Sequence, residues 1–250
     1  MIYFVGAGPG AVDLITLKGR DLLEKADVVI YAGSLVPKEH LDFCKPGTEK
    51  YNSAEMNLGE VMDVMLRANA EGKEIVRLHT GDPSIYGAIG EQMRELDKHN
   101  IEYEVVPGVS SFVAANAAVK KEMTLPGVSQ TIILTRISGR TPVPEKEELR
   151  KLASHRASMA IFLSVQKIGE VVDELLTAYS EDTPIAIVYR ATWDDQKIVK
   201  GTLKNIESKV KEAGINRQAQ ILVGDFLDTD FEFSKLYDES FTTGYRDGKE

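Results

Sequence analysis

Residues 5–19 read VGAGPGAVDLITLKG, and this stretch decides between the possible fold classes. The apolar run at residues 2–5 leads directly into Gly6 and Gly8, which is typical of a buried strand that enters a tight turn. Gly6, Gly8 and Ala11 satisfy the G-x-G-x-x-G/A spacing of a dinucleotide-binding turn. The stretch alone fits a dinucleotide site, a glycine turn for another ligand, or a turn that binds nothing.

The neighbouring sequence argues against a nicotinamide cofactor. A dinucleotide fold places an acidic residue about 20 positions further on, at the end of the second strand, where it binds the ribose hydroxyls. Here the second predicted strand runs into YAGS at residues 31–34, and the acidic Asp27 lies at the start of that strand. Pro9 also removes one of the backbone N–H groups that would face a pyrophosphate. An NAD-dependent oxidoreductase is therefore the weaker alternative.

Short apolar runs alternate with helical patterns along the chain. The first half predicts strands at residues 2–5, 27–31, 74–79 and 102–106, and helices at 16–26, 58–70 and 88–99. The second half predicts strands at 130–135, 158–164, 184–189, 197–201 and 219–224, and helices at 145–154, 169–178 and 203–213. This alternation predicts an α/β fold of two domains with mostly parallel sheets. Pro126 and Gly127 in TLPGVSQ break the pattern, and we place the domains at residues 1–122 and 123–250.

The composition limits the possible classes of function. The chain has 250 residues, of which 43% are hydrophobic and 28% charged, as is usual for globular proteins. No apolar run approaches the roughly 20 residues that span a bilayer, and the N-terminus reads as a buried strand rather than a signal peptide. The net charge of −9 argues against nucleic acid, and the single Cys44 excludes an internal disulfide. We expect a cytoplasmic protein with no membrane or nucleic-acid partner.

Two further turns have the same form as the first. Residues 77–87 read RLHTGDPSIYG and residues 105–111 read VVPGVSS, so each contains a strand end, a glycine and a helix start. Asp82 in the first of these turns could cap a helix, or could hold a hydroxyl or ammonium group of a ligand. In open α/β sheets, ligands bind at the carboxyl ends of the strands. Three glycine turns at that edge therefore indicate a ligand site.

The turns taken together carry a family resemblance. VGAGPGAVDLITLKG, YAGSLVP, GDPSIYG and PGVSSFVAANA resemble the tetrapyrrole methyltransferases, which methylate porphyrinogen and corrin precursors with S-adenosylmethionine. Within that family, YAGSLVP, LTRISGRTPVP and YRATWDDQ are most similar to the branch that methylates C11 of a corrin precursor in cobalamin biosynthesis. The nearest alternative is a member that acts at another corrin position or on uroporphyrinogen. A non-catalytic tetrapyrrole binder is a further alternative.

The resemblance implies a donor site and an assembly. The methyl donor would lie folded in a cleft between the two α/β domains, and the protein would be a homodimer. The implied donor-binding residues are Pro9, Thr80, Gly81, Asp82, Ile85, Ser110, Ser111, Leu163, Ala191 and Ala219. Ser111 and Ala191 stand where relatives have other small residues, and Leu163 stands where relatives often have Met.

The resemblance also implies a tetrapyrrole substrate that carries several carboxylates. The planar guanidinium of arginine matches a carboxylate with two parallel hydrogen bonds. Arg136 and Arg140 lie in the loop LTRISGR, and Arg190 ends another predicted strand. These three arginines are the candidates for binding the substrate carboxylates. Tyr31 and Ser34 of YAGSLVP are predicted to line the same site.

The chemistry makes few demands on side chains. Methyl transfer from a sulfonium is an in-line displacement at carbon, which depends on proximity and orientation. It requires neither a metal nor a protein nucleophile. The sequence contains no P-loop and no HExxH motif, and its four histidines are scattered, so no protein-bound metal is expected. The group that collects a proton from the substrate is not identified, and Asp82, Tyr31 and water are the candidates.

Overall fold

The computed structural model describes residues 1–249, and the contacts among them divide the chain into two compact units. The first unit contains Met1–Ala118 and, from much later in the chain, Arg190–Lys197. The second unit contains Val119–Tyr189 and the residues from Ile198 onward. The segment Arg190–Lys197, which the sequence grouped with residues 123–250, therefore packs with the first unit.

The first unit is built on a parallel sheet of five strands in the order β3-β2-β4-β1-β5. The strands are β1 (Ile2–Gly6), β2 (Val28–Tyr31), β3 (Glu49–Asn52), β4 (Ile75–His79) and β5 (Tyr103–Val106). In this register Val5 of β1 faces Leu78 of β4 and Val106 of β5. Because the strands are parallel, all five end at one edge, and the turns that follow them meet there.

Four α-helices connect these strands or follow them: α1 (Leu17–Lys25), α2 (Leu58–Ala70), α3 (Ile89–Lys98) and α4 (Ser111–Val119). Local sequence sets where two of them begin. The Thr16 hydroxyl accepts a hydrogen bond from the backbone N–H of Gly19 in the first turn of α1. Asn57 and Glu60 form a reciprocal capping box at the start of α2.

The core of the first unit lies on both faces of its sheet. Successive residues of a strand point to opposite faces. Accordingly, Phe4 belongs to one buried apolar cluster and Val5 to another, and the same holds for Ile30 and Val29. Strands that are buried on both faces read as continuous apolar runs, which is why the sequence shows them clearly.

The second unit is built on a mixed sheet of five strands in the order β6-β7-β10-β8-β9. The strands are β6 (Ile132–Thr135), β7 (Ser158–Ile161), β8 (Pro184–Tyr189), β9 (Lys197–Thr202) and β10 (Ala219–Val223). β6 and β7 are parallel, whereas β10 is antiparallel to both of its neighbours, β7 and β8. The start of β10 therefore lies at the same edge as the ends of β7 and β8, where Ala219 faces Tyr189.

The helices of the second unit are α5 (Leu149–Ala153), α6 (Ile168–Leu175) and α7 (Ile206–Glu212). The helix predicted over residues 145–154 is instead a 3₁₀ turn, Glu145–Glu147, followed by α5, because Glu148 has an extended ψ of 138° between the two. The predicted α/β class with mostly parallel pairing is confirmed, and β10 is the departure from it. Within residues 1–249, no helix is long and apolar enough to cross a membrane.

Candidate functional site

Three glycine turns interlock through their backbones at the carboxyl-end edge of the first sheet. The Gly81 N–H donates to the Gly8 carbonyl at 2.8 Å, and the Gly8 N–H donates to the Gly81 carbonyl at 3.3 Å. A Cβ on Gly108 would lie 2.2 Å from the Gly81 oxygen, and a Cβ on Gly6 would lie 2.7 Å from the Cα of Gly108. Only glycine permits backbones to approach this closely. The turns after β1, β4 and β5 therefore form one packed surface.

Asp82 ties two of these turns together. One carboxylate oxygen accepts from the backbone N–H of Ser84 at 2.8 Å and from the Ser84 hydroxyl, and the other accepts from the Gly108 N–H at 2.9 Å. Partial burial alone would raise the pKa of Asp82, but these hydrogen bonds outweigh burial and lower that pKa below its usual value. Asp82 is therefore ionised at neutral pH, and its carboxylate retains lone pairs for a further donor.

The segment Arg190–Lys197 lies against the glycine turn that follows β1. Trp193 donates from Nε1 to the Pro9 carbonyl at 3.0 Å. The Thr192 hydroxyl accepts a hydrogen bond from the Ala11 N–H, also at 3.0 Å. Pro9, which was predicted to contact the methyl donor, is buried in this arrangement. Two side chains from a distant part of the sequence thus satisfy backbone groups of the turn.

The backbone of the same segment has an uncommon conformation. Arg190 and Thr192 have φ values of +45° and +73°, a region that disfavours residues with a Cβ and β-branched ones most. The Arg190 guanidinium lies 3.9 Å from the centroid of the Trp193 ring and forms an ion pair with Asp195 at 2.5 Å. Ala191, which was also predicted to contact the methyl donor, is buried within this segment.

His40 supports the glycine turn from the 3₁₀ helix Lys38–Phe43, which follows YAGSLVP. Its side chain is fully buried, with Nε2 at 2.9 Å from the Ala7 carbonyl and Nδ1 at 3.3 Å from the Pro37 carbonyl. Burial lowers the pKa of His40, although both carbonyls act in the opposite direction. The segment after β2 is thereby linked to the turn after β1.

Strand β4 carries two buried polar side chains just before its own turn. Arg77 donates to the Gln92 amide oxygen and to the Ile30 carbonyl, each at 3.2 Å, and burial lowers the pKa of Arg77 to about 10. His79 is 4% exposed, and its Nε2 has no hydrogen-bond partner within residues 1–249. Burial, reinforced by the charge of Arg77, lowers the pKa of His79 to about 3, so this imidazole is neutral at physiological pH.

The other residues predicted for the first unit lie at the same edge. They are Thr80 and Ile85 after β4, Ser110 and Ser111 around the start of α4, and Tyr31 and Ser34 at the end of β2. Tyr31 and Ser110 are buried, Ser34 is exposed, and the remaining three are half-buried. The structure thus brings together residues from three separate turns of the sequence.

Four predicted residues lie at or just beyond one edge of the second sheet. Leu163 follows β7, Arg136 and Arg140 follow β6, and Ala219 begins β10 beside Tyr189. Leu163 is 65% exposed and has a φ of +53°, so a large apolar side chain is presented to solvent by a residue in a left-handed conformation. Such outliers cluster at functional sites, and this one is consistent with a ligand contact.

The two arginines of the loop after β6 differ in what they contact. The Arg136 guanidinium donates to the carbonyls of Ile137 at 3.2 Å, Thr141 at 2.9 Å and Pro142 at 3.1 Å. It therefore holds the conformation of its own loop. Arg140 is exposed and makes no hydrogen bond or ion pair with the residues that the structure describes. Arg140 is the one of the two whose whole guanidinium is available to a carboxylate.

A cavity of about 890 Å³ in the second unit contains none of the predicted residues. Its walls carry both cationic and anionic side chains, including Lys200, Lys209, Asp182 and Asp225. This mixture gives the cavity no evident preference for an anionic ligand. Among residues 1–249, no three His, Cys, Asp or Glu side chains come together in a way that could hold a metal ion.

Sequence reasoning did not identify the side chains that hold the glycine turn. His40 contacts Ala7 across 33 positions, and Trp193 contacts Pro9 across 184 positions. No local sequence pattern predicts either contact. The only available signal was that the single tryptophan of the chain lies two residues after Ala191, which was itself a predicted donor contact.

Comparison with known proteins finds relatives that are methyltransferases. The family model described as Tetrapyrrole (Corrin/Porphyrin) Methylases matches residues 1–207. A cobalt-precorrin-4 C(11)-methyltransferase of Methanocaldococcus jannaschii is 57% identical over 247 residues, which cover 98% of this chain and 95% of that protein. The solved structure of a cobalamin biosynthetic enzyme, cobalt precorrin-4 methyltransferase, matches with a TM-score of 0.89 at 50% identity and covers 91% of this chain and 96% of that chain.

A third relative is known with a ligand. A uroporphyrin-III C-methyltransferase of Thermus thermophilus, solved in complex with S-adenosylhomocysteine, matches with a TM-score of 0.75 at 27% identity. The match covers 91% of this chain and 93% of that chain. The fold of this chain is therefore shared with a methyltransferase whose structure contains bound S-adenosylhomocysteine.

Proposed function

The chain belongs to the tetrapyrrole (corrin/porphyrin) methylase family, and on this premise we propose that it methylates precorrin-4, free or carrying cobalt, at C11 to give the corresponding precorrin-5 in cobalamin biosynthesis. It is an S-adenosylmethionine-dependent C-methyltransferase. The observation that carries the assignment is the identity of 57%, over 98% of the chain, with a relative of that name.

The residues at the carboxyl-end edge of the first sheet fit a methyl donor of this kind. S-adenosylmethionine carries an ammonium, a sulfonium and a carboxylate, so it is a net cation, and its adenine needs apolar cover. Asp82 supplies one ionised carboxylate, and Thr80 and Ser110 add neutral hydroxyls. Ile85 adds a half-buried apolar side chain. One anion among small and neutral groups suits a cationic ligand of this size.

We assign donor binding to residues of both units. The proposed contacts are Pro9, Thr80, Gly81, Asp82, Ile85, Ser110, Ser111, Leu163, Ala191 and Ala219. Two observations support the choice beyond the family resemblance. Ala191 is carried by the segment that lies on the glycine turn, and Leu163 is exposed in a left-handed conformation.

We assign the substrate carboxylates to Arg136, Arg140 and Arg190, with Tyr31 and Ser34 beside the macrocycle. Arg140 has an uncommitted guanidinium among the described residues, and Arg190 is oriented by stacking on Trp193 and by Asp195. Oriented guanidinium groups lose less entropy when they bind a carboxylate.

The chain contributes orientation more than bond chemistry. When bound, S-adenosylmethionine would supply a methyl group on a sulfonium; a ring carbon of the tetrapyrrole would attack that methyl carbon in line, and the sulfur would leave with the electrons of the C–S bond as S-adenosylhomocysteine. Correct alignment alone lowers such barriers by up to about 7–11 kcal/mol in ideal cases. The proposed proton acceptors are Asp82, which is ionised, and Tyr31, which ends β2 at the same edge.

The first test is calorimetric titration with S-adenosylhomocysteine and, separately, with NADH. We expect binding of the former alone. Turnover is then measured with S-adenosylmethionine and precorrin-4 or its cobalt complex, and we expect the product to gain one methyl group at C11 by mass spectrometry and NMR. Binding of NADH, or of neither ligand, would contradict the proposal.

A panel of substrates separates the alternatives within the family. Methylation of uroporphyrinogen III or of another precorrin, with none of precorrin-4, would assign a different member's activity. Binding of tetrapyrrole with no response to S-adenosylhomocysteine would indicate a non-catalytic binder. Turnover measurements detect the first outcome, and calorimetric titration detects the second.

We further propose a cytoplasmic homodimer with no protein-bound metal and no nucleic-acid or membrane partner. The net charge of −9 and the single cysteine support the location and the absence of nucleic acid. Exposed apolar side chains near the C-terminus, such as Phe233 and Tyr237, offer surface for a second copy. Light scattering should give twice the chain mass of 27.6 kDa, and metal analysis of the purified protein should find none in stoichiometric amount.

A further inference from the structure

The glycine turn after β1 is contacted by side chains on both sides of Gly10. Trp193 donates to the carbonyl before Gly10, and Thr192 accepts from the N–H after it, each at 3.0 Å. A Cβ on Gly10 would lie 2.3 Å from the Trp193 ring and 2.8 Å from the Thr192 hydroxyl oxygen. The two side chains therefore hydrogen-bond to the peptide groups of the turn and pack directly against its central residue, Gly10.

Thr192 makes this hydrogen bond from an unfavourable backbone conformation. Its φ of +73° is one that glycine adopts freely and that a β-branched residue disfavours. Its own N–H donates to the Gln196 side chain at 2.8 Å, which stabilises the tight turn of the segment. The presence of a threonine at such a position is explained by its hydroxyl, which holds the Ala11 N–H. Strain of this kind is retained where geometry serves a ligand.

Contacts within its own segment orient the indole of Trp193. The Arg190 guanidinium lies over its ring at 3.9 Å, and Asp195 fixes that guanidinium from the other end. The backbone N–H of Trp193 donates to the Arg190 carbonyl at 3.0 Å. The indole N–H is thus aimed at the Pro9 carbonyl by its own segment.

We infer that Thr192 and Trp193 are positioning residues that fix the glycine turn in the conformation that receives the methyl donor. The inference rests on the proposed function, because it takes Pro9 and its neighbours to be part of the donor site. It assigns neither side chain a contact with the donor. Their effect is to prepare the backbone of the turn before the ligand arrives, which lowers the ordering cost of binding.

The variant Thr192→Gly separates positioning from structural support. Glycine relieves the left-handed strain but removes the hydroxyl that holds Ala11. We expect the Tm of the unliganded protein to stay near the wild-type value while the affinity for S-adenosylhomocysteine falls about fivefold. If Thr192 merely supported the fold, the variant would lose stability and affinity for S-adenosylhomocysteine together.

The variant Trp193→Phe keeps an aromatic ring and removes the N–H that Pro9 accepts. We expect about five- to tenfold weaker binding of S-adenosylhomocysteine, with the KM for the tetrapyrrole unchanged. Tyr179→Phe is the matched control, because it removes one aromatic hydrogen bond to a carbonyl, at 2.6 Å to Ala157, inside the second unit. That control should lose stability without losing donor affinity.

Because Trp193 is the only tryptophan, its fluorescence reports on the turn in the unmodified protein. We expect saturating S-adenosylhomocysteine to change the emission of the wild type. Unchanged emission, or donor affinity in both variants equal to that of the wild type, would overturn the positioning role and leave the proposed function standing. Failure of the wild type to bind S-adenosylhomocysteine in calorimetry would overturn both.

Discussion

Asp82 holds two turns together and keeps a negative charge at the same position. Its two oxygens accept from Ser84 and Gly108, so the side chain is part of the framework. The same hydrogen bonds lower its pKa and keep the carboxylate ionised. A ligand ammonium would therefore meet a charge that is already held in place by the protein.

Replacing Asp82 with alanine tests both tasks together. We expect Asp82→Ala to weaken binding of S-adenosylhomocysteine at least about tenfold, or about 1.4 kcal/mol. We also expect it to lower the free energy of unfolding by about 1–3 kcal/mol, because the Gly108 N–H loses its acceptor. Calorimetry and urea denaturation measure the two effects. Asp97→Ala, which removes an exposed carboxylate bonded to Tyr103, should leave the affinity unchanged.

Arg136 makes three hydrogen bonds to carbonyl groups that shape the loop after β6. We expect Arg136→Ala to raise the KM for the tetrapyrrole about fivefold or more, because the loop that carries Arg140 loses its internal bonds. Affinity for S-adenosylhomocysteine should not change. Steady-state kinetics and calorimetry measure the two quantities.

The control for Arg136 is Arg150→Ala. Arg150 forms a two-point ion pair with Glu174 and lines the same cavity of about 350 Å³ as Arg136. Its removal should leave the tetrapyrrole KM unaltered. If Arg136→Ala weakened donor and tetrapyrrole binding equally, a role for Arg136 on the substrate side would be wrong.

The interlocked glycines connect three strand ends that are far apart in sequence. A side chain at Gly108 would collide with the backbones of both Gly81 and Gly6. These contacts involve main-chain atoms, which cannot rotate away as a side chain could. A change at one turn must therefore shift the other two.

Gly108→Ala should accordingly disturb all three turns. We expect a loss of about 1–3 kcal/mol in the free energy of unfolding and a fall in S-adenosylhomocysteine affinity that exceeds tenfold, or about 1.4 kcal/mol. Gly90→Ala is the matched control, because a Cβ there meets nothing within 4 Å and alanine favours the helix α3. Comparable behaviour of the two variants would contradict the interlocking.

The strands that the sequence predicted contain apolar residues in succession, whether the strand is buried or lies at an edge. The strands β1, β2 and β4 are largely buried along their length, β5 contains the apolar pair Val105 and Val106, and the pattern alone locates all four to within one residue. Strand β3 was missed because it is an edge strand with the sequence EKYN, paired only with β2 and at least partly exposed along its length. The antiparallel position of β10 was missed because pairing direction is set by tertiary contacts.

The candidate site shows the same division. Motif spacing and family resemblance placed the predicted first-unit residues at one edge, because a strand end followed by a glycine turn is a local pattern. The contacts of Trp193 and His40 depend on how distant segments meet, and no local rule encodes them. The roles of individual residues within the site stay predictions, and the variants above test them.

Buried histidines make the stability of the whole protein depend on pH. The pKa of His79 is about 3 in the folded protein and about 6.5 in an unfolded chain. Its contribution to stability is therefore fully present above about pH 6.5 and declines as the pH falls toward 3, because only the unfolded state binds the proton. His40 acts in the same direction.

The variant His79→Leu isolates this contribution. We expect the wild type to lose up to about 1.4 kcal/mol per pH unit below pH 6.5 on account of His79, in addition to losses from other groups. The variant should lack this component, so the difference between the two proteins should shrink or reverse from pH 7.5 to pH 5.5. Urea denaturation at both pH values measures it, and parallel pH dependence in the two proteins would contradict the assignment.

The division of the first unit between two stretches of chain sets the order of events during translation. The strands, the interlocked glycines and His40 all belong to the first 118 residues, so they leave the ribosome early. Thr192 and Trp193 emerge only after most of the second unit has been synthesised. A nascent chain can thus form the sheet while its glycine turn is still unheld. A product that terminates before Arg190 contains every glycine of the turn yet lacks Thr192 and Trp193, so the turn acquires these two contacts only after residues 119–189 have been synthesised.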